Sequence, residues 1–285
     1  MASPRGDGVA IGEIQFTSRS CDERLHDRTA AARADVRRAL SLTQRSYSQK
    51  LGTFRFGIVW IVVEPIFTAV LFIFLFSLIR PGEDLRALTI IVGVVTFKSF
   101  SSSLMEGMLM LNNIRSKVKV ERVRTRVIVV AGVMKSSLDS LFLTIFAGAL
   151  MIVFFEDVGL AEIGAFGGAL LITSTLGRGL GMTLITLHRT FPDMEMIMRY
   201  FIQINLYLSP VLYLSSEMHP IQHQVMLFNP FAHIVNIVRD IVMGTDEIGT
   251  FGGSTSIVML CVVALAGIVS HLRLDAMRWR YSNWS

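Results

Sequence analysis

The sequence predicts an all-α membrane protein. It is expected to have six transmembrane helices, an amphipathic interface helix before them, and an outer re-entrant helical hairpin between spans five and six. Three observations carry this. Of 285 residues, 52% are hydrophobic and only 17% charged, and mean hydropathy is +0.55; this balance belongs to a polytopic membrane chain, not a large soluble core. Six apolar runs each reach about the 20 residues that a bilayer requires. Basic residues concentrate in alternate connections, which sets the orientation. The net charge of +5 is then a property of cytoplasmic loops, and no nucleic-acid partner is expected. Cys21 lies in the polar N-terminus and Cys261 in a span, so no disulfide is expected. The first apolar run begins only near residue 58, so no cleavable signal peptide is expected.

Residues 1–35 read as a mobile cytoplasmic tail rich in Arg, Asp, Ser and Ala, with a short helix near Asp22 to Arg38. In residues 36–56, Val36, Leu40, Leu42, Tyr47, Leu51, Phe54 and Phe56 alternate with Arg37, Arg38, Arg45, Lys50 and Arg55. Such a basic amphipathic segment suits an anionic membrane surface. Residues 57–285 form the transmembrane domain. Its spans are expected at Ile58–Ile79, Leu88–Leu111, Val127–Phe155, Ile163–Leu187, Met194–Leu214 and Ser256–Leu274, the third tilted because it is long. Ten Lys or Arg precede residue 58, and six more (Arg115, Lys117, Lys119, Arg122, Arg124 and Arg126) follow span two. Arg278 and Arg280 follow span six. The opposite connections hold Arg80 and Arg86 balanced by Glu83 and Asp84, and then Glu156, Asp157 and Glu162. Both termini are therefore expected in the cytoplasm.

Residues 215–243 tempt a seventh span. Asn229-Pro230, His233, Asn236, Arg239 and Asp240 are costly in lipid, and a seventh crossing would put Arg278 and Arg280 outside. The expectation is a hairpin on the outer side, broken at Pro220 and Asn229-Pro230, with Pro220, Asn229, Pro230, His233 and Asn236 forming an outer gate.

No catalytic or metal-binding set emerges. No G-x-x-x-x-G-K-[ST] is present, so the chain has no phosphate-cradling P-loop. Gly177 and Gly181 form a small-residue face suited to helix packing. His219 and His223 are four apart with Pro220 between them, which makes a shared helical face doubtful for a metal. The cationic loop Asn112 to Arg126 sits between two long spans. Either it fixes orientation alone, or its Asn113, Arg115, Lys117, Val118, Lys119, Val120 and Arg122 dock on a cytoplasmic ATPase, helped by the segment near Arg37 to Lys50. Lys135 and Asp139 are i, i+4 and match each other in charge. Lys98 and Arg178 have no partner within their own helices. They either pair with Glu64 or Glu106 across helices or face a wet path, where they would favour an anionic cargo. Phe97, Phe100, Tyr200, Phe201, Tyr207 and Tyr213 either form lipid-facing belts or stack on sugar rings.

Four patches give the chain a family resemblance: Phe54-Arg55-Phe56-Gly57-Ile58-Val59-Trp60 through Glu64-Pro65; the polar-basic loop from Asn112; Thr190-Phe191-Pro192-Asp193-Met194; and Asn229-Pro230-Phe231-Ala232-His233 with Arg239-Asp240. Over roughly residues 40–280 they resemble the membrane subunits of ABC-2 type polysaccharide exporters. The capsular-polysaccharide export permeases of Gram-negative bacteria are nearer than the O-antigen permeases. Phe-Gly-x-x-Trp with Glu-Pro, including Trp60, Glu64 and Pro65, is the most specific part.

The resemblance implies a homodimer in the bacterial inner membrane, joined by two copies of an ABC ATPase subunit that holds the ATP and Mg. The chain itself would then bind no cofactor and catalyse no bond chemistry. A lipid-linked, anionic capsular polysaccharide would pass along the dimer interface, lined by Lys98, Arg178, Phe97, Phe100, Tyr200 and Tyr207. A periplasmic co-polymerase and an outer-membrane polysaccharide channel would continue the path. The competing readings are export of small hydrophobic compounds by the same architecture, export of O-antigen or teichoic-acid-type glycans, and a proton-coupled carrier. The last would need inverted repeats and a carboxylate relay.

Overall fold

The computed structural model describes residues 33–48, 59–79, 85–110, 125–155 and 158–281. All regular structure among them is helical. In chain order the helices are α1 (residues 33–48), α2 (Val59–Ile79), α3 (Leu85–Met108), α4 (Thr125–Phe154), α5 (Leu160–Thr183), α6 (Ile185–Thr190), α7 (Met194–Leu208), α8 (Pro220–Met226), α9 (Pro230–Met243), α10 (Glu247–Phe251) and α11 (Gly253–Tyr281), with a single 3-10 turn at Ser215–Glu217.

Among the described residues, four helices are long and apolar enough to cross a bilayer, over Ala87–Met108, Val127–Phe154, Leu160–Thr183 and Gly253–Arg273. The 21-residue α2 contributes a further apolar run over Val62–Leu75. The helix of the expected fifth span ends earlier than Leu214: α7 stops at Leu208, where Ser209 turns extended ahead of Pro210. Its 15 residues cover about 22 Å at about 1.5 Å per residue, short of the ~30 Å hydrocarbon core. The expected fourth span is met by α5, which begins three residues earlier and ends at Thr183, with Leu184 separating it from α6.

α3 is the central element. It packs most extensively on α5 and also meets α2, α4, α7 and α9. The close fit with α5 depends on glycine. A Cβ at Gly177 or Gly181 would collide with the carbonyl oxygens of Phe100 or Leu104, and one at Gly107 with that of Arg178. Gly179 meets Gly267 of α11 in the same way, with the Cβ of either placed about 3 Å from the other's Cα. These contacts extend the small-residue face read from Gly177 and Gly181 to two neighbouring helices.

α8 and α9 bend by 98° at the break between them, so no straight helix runs through the segment expected to be a hairpin. The bend has a local cause. Asn229 caps α9, its Oδ1 accepting the Phe231 N–H at 3.0 Å, and Pro230 takes the first helical position, where a missing N–H costs nothing. The Asn229 amide donates to Asn205 Oδ1 at 2.7 Å and Ser209 Oγ at 2.9 Å, tying the break to the end of α7. Gly244, left-handed at φ 64°, ends α9.

α1 lies against α4. Ala39 packs on Val127 and Ala131, and Thr43 Oγ1 donates to the Ala131 carbonyl at 3.1 Å. Val36 and Leu40 stay exposed, as do Arg37, Arg38 and Arg45. The interface helix thus has a protein-facing side that hydrophobic alternation alone did not specify.

Candidate functional site: a polar cavity and an ionic cluster

A cavity of about 720 Å³ lies among α2, α3, α4 and α7. α2 supplies Trp60, Glu64 and Pro65; α3 supplies Lys98, Ser99, Ser101, Ser102, Ser103, Met105 and Glu106. α4 adds Ser136, Asp139, Ser140 and Leu143, and α7 adds Arg199 and Ile202. Ser99, Ser102, Ser103 and Glu106 follow the 3-and-4 spacing of one helix face, so α3 presents a polar stripe. Pro65 sits within α2, where it removes one helical donor beside this cavity.

Lys98 Nζ donates to Glu64 Oε1 at 2.8 Å. Behind the cavity wall, Arg178 Nη2 donates to Glu106 Oε2 at 2.7 Å, and its Nε to Ser136 Oγ at 3.4 Å. Lys135 Nζ bonds the other Glu106 oxygen and reaches Asp139 Oδ2 at 3.0 Å. Tyr47 of α1 donates to Asp139 Oδ1 at 2.5 Å, and the Lys135 carbonyl lies 3.2 Å from the same hydroxyl. Burial, followed by the negative charge of Asp139, pushes the Tyr47 phenol above its usual range, so it stays a donor. One network therefore joins α1, α3, α4 and α5.

Of the two alternatives for the membrane cations, the structure shows pairing: Lys98 meets Glu64 and Arg178 meets Glu106. Lys98 lines the cavity. Arg178, 3% exposed, does not; it serves as a cross-brace. Phe97 and Phe100 are also corrected as sugar-stacking groups. Both are fully buried and pack on Phe231, with ring centroids 5.0 and 4.9 Å away. Tyr200 and Tyr207 are exposed on α7, and Tyr207 also contacts the edge of Phe72.

The gate residues divide similarly. Pro220 is exposed at the start of α8. His233 and Asn236 are fully buried, which corrects their expected contact with emerging cargo. His233 Nδ1 pairs with Ser256 Oγ at 2.9 Å and Nε2 with the Leu227 carbonyl at 2.8 Å, stitching α9 to α11. Asn229 is spent on its cap. Arg239, which looked costly in lipid, is enclosed in protein: Nη1 donates to the Tyr213 carbonyl at 2.9 Å, and Nη2 to the Val211 carbonyl at 2.6 Å and the Thr89 carbonyl at 3.3 Å. Asp240 accepts the Glu247 and Ile248 N–H groups at 2.8 and 2.7 Å, fixing the start of α10. The coupling residues Asn113, Arg115, Lys117, Val118, Lys119, Val120 and Arg122 lie outside the described residues.

Sequence reading missed the serine row and the Tyr47–Asp139 bond. The serine spacing on a span was an available signal; the tyrosine contact, 92 positions apart in the chain, had none. A second cavity, about 520 Å³, is lined only by apolar side chains: Ile66, Ala69, Val70 and Ile73 of α2, Ala87, Ile91 and Val95 of α3, and Leu150, Phe154 and Phe155 around the end of α4.

Long apolar helices and a short helix before a broken hairpin mark an integral membrane protein. The family model for ABC-2 type transporters matches residues 37–243. The chain belongs to that family: it is an integral membrane permease subunit, the partner of an ABC ATPase. Comparison with curated proteins gives no match.

Proposed function

We propose that this chain is the membrane subunit of an ATP-driven exporter that moves a lipid-linked polysaccharide across the bacterial inner membrane. It works as a homodimer with two ATPase copies, which hold the ATP and Mg, and with both its termini in the cytoplasm, an even count in which α7 together with residues 209–214 makes the fifth of six crossings. The polymer passes along the dimer interface, and in a capsule-type system a periplasmic co-polymerase and outer-membrane channel receive it. The observation that carries this reading is the serine-rich cavity with Trp60 at its edge. Hydroxyls, carboxylates and an indole are the groups that hold sugars, through hydrogen bonds and ring contact. The four patches resembling polysaccharide-export permeases add to it. Polymer charge is not read from Lys98 and Arg178, since each meets a carboxylate.

A second reading, export of small hydrophobic compounds, is favoured by the wholly apolar cavity. Depletion of the chain in its host separates the two. Loss of a surface glycan with its build-up inside the cell is the expected result. An unchanged surface glycan, with sensitivity to hydrophobic compounds instead, would overturn the polysaccharide reading.

A further inference from the structure

The two cavities share the same three helices. On α2 the polar cavity takes Trp60 to Pro65 and the apolar one Ile66 to Ile73. On α3 the order runs from Lys98–Glu106 to Ala87–Val95, and on α4 from Ser136–Leu143 to Leu150–Phe154. One lining ends one residue from the next on α2, three on α3 and seven on α4. At about 1.5 Å per residue, their centres are offset by about 10–20 Å along the helices. That is about the depth of one leaflet, half of the ~30 Å hydrocarbon core.

We infer that the two cavities are one amphipathic seat, in which a glycolipid of the inner leaflet places its sugar head among the α3 serines and its hydrocarbon tail along Ile66–Ile73 and Ala87–Val95. This rests on the orientation and cargo given in the proposed function. With the N-terminus inside, α2 enters from the cytoplasmic face at Val59. Trp60 and Glu64 then stand at head-group level, and Ile66 to Ile73 run toward the bilayer centre. A lipid in that leaflet has the same polarity, head down and tail up.

Ser101 Oγ already donates to the Phe97 carbonyl at 2.7 Å, Ser102 Oγ to the Ser99 carbonyl at 3.2 Å and Ser136 Oγ to the Val133 carbonyl at 3.0 Å. A hydroxyl that has given its one proton presents only acceptor lone pairs. Glu64, Glu106 and Asp139 are each held by a cation, and Lys98 and Arg199 add donors to the lining. The cavity therefore offers acceptors and donors side by side, which suits a polyhydroxyl head, whose every group can do both. The tail site is reachable from lipid. Val70 lines it and is 54% exposed, while Phe67 and Phe74 on the same helix are also exposed.

Three photoactivatable probes with a diazirine in the tail test this on the permease–ATPase complex in nanodiscs. They are polyprenyl diphosphoryl-N-acetylglucosamine, a diacylglycerol-linked N-acetylglucosamine, and phosphatidylethanolamine. At least one sugar-bearing probe is expected to label Ile66–Ile73 or Ala87–Val95 several-fold above phosphatidylethanolamine, and the stronger of the two names the type of carrier. Val70→Trp should cut that labelling several-fold by filling the tail site. Ser102→Trp should do the same by evicting the head. Leu71→Trp, on the neighbouring lipid-exposed position that does not line the cavity, should leave it unchanged. Equal labelling by all three probes, or labelling indifferent to Ser102→Trp, would make the apolar cavity a site for ordinary bilayer lipid and overturn the inference. Uniform labelling in a chain whose depletion still removes surface glycan would sink this seat and leave the export reading standing. Head-group-dependent labelling with no glycan phenotype would support the seat and sink the export reading.

Discussion

Arg178 and Arg239 are both buried guanidiniums, and the molecule treats them differently. Arg178, on α5, meets the Glu106 carboxylate, which also holds Lys135. Arg239, on α9, donates to three backbone carbonyls, from Thr89, Val211 and Tyr213. The first brace joins regular helices whose own backbones are satisfied, so side chains must supply the partner. The second reaches Val211 and Tyr213, where the chain has left α7 and carbonyls lie outside regular helix, and ties them to Thr89 of α3, so the arginine fork supplies the donors there. Charge is the essential property in one place and donor geometry in the other. Gly93 makes the second possible: a Cβ there would meet the Val211 carbonyl and crowd Arg239 Nη2 at 2.7 Å.

The largest expected effect breaks the charge-based brace. Glu106→Gln keeps the shape and removes the charge that two cations share. It should destabilise the purified protein by about 3 kcal/mol, the lower end for breaking a buried pair because Glu106 is partly exposed. Thermal unfolding in detergent checks this, and a neutral outcome would show that hydrogen bonding alone holds Arg178. Next, Arg239→Lys keeps the charge and loses the fork. Leaving carbonyls unpaired should cost about 2 kcal/mol, whereas Arg178→Lys should cost less in the same assay, since an ammonium still meets Glu106. Equal losses would erase the distinction between the two regions. The smallest effect concerns the link from α1 to the first brace. Tyr47→Phe removes one hydrogen bond to Asp139 and should cost about 1 kcal/mol. It should also raise hydrogen exchange in residues 33–48 without altering that of α9.

Much of this was legible in the sequence, though unevenly. Four long spans and the apolar run of α2 could be read because length and hydropathy are local properties. The break at Asn229-Pro230 could be read because capping chemistry is local too. The end of α7 was placed six residues too late, since Leu214 continues the apolar run while Ser209 and Pro210 end the helix. The partners of Lys98 and Arg178 were among the carboxylates considered, but the choice between pairing and a wet path depends on helix rotation, which periodicity does not set. Nothing in the sequence marked Arg239 as a donor to a turn more than 20 residues away, or His233 as a bridge to Ser256. Arg239 looked only costly in lipid and His233 looked like a gate residue awaiting cargo, and each is occupied by the fold.

In the proposed function the serine-lined cavity carries a glycan. The most direct test of this is ATP-dependent uptake of a radiolabelled lipid-linked glycan into inverted membrane vesicles that contain this chain and its ATPase. Wild type is compared with Ser102→Trp, which fills the cavity from an exposed position on α3. Expected is uptake that needs ATP and is lost in Ser102→Trp, while the variant inserts and binds the ATPase normally. Glycan uptake that persists in Ser102→Trp, or ATP-dependent uptake of hydrophobic compounds with none of glycan, would contradict the account.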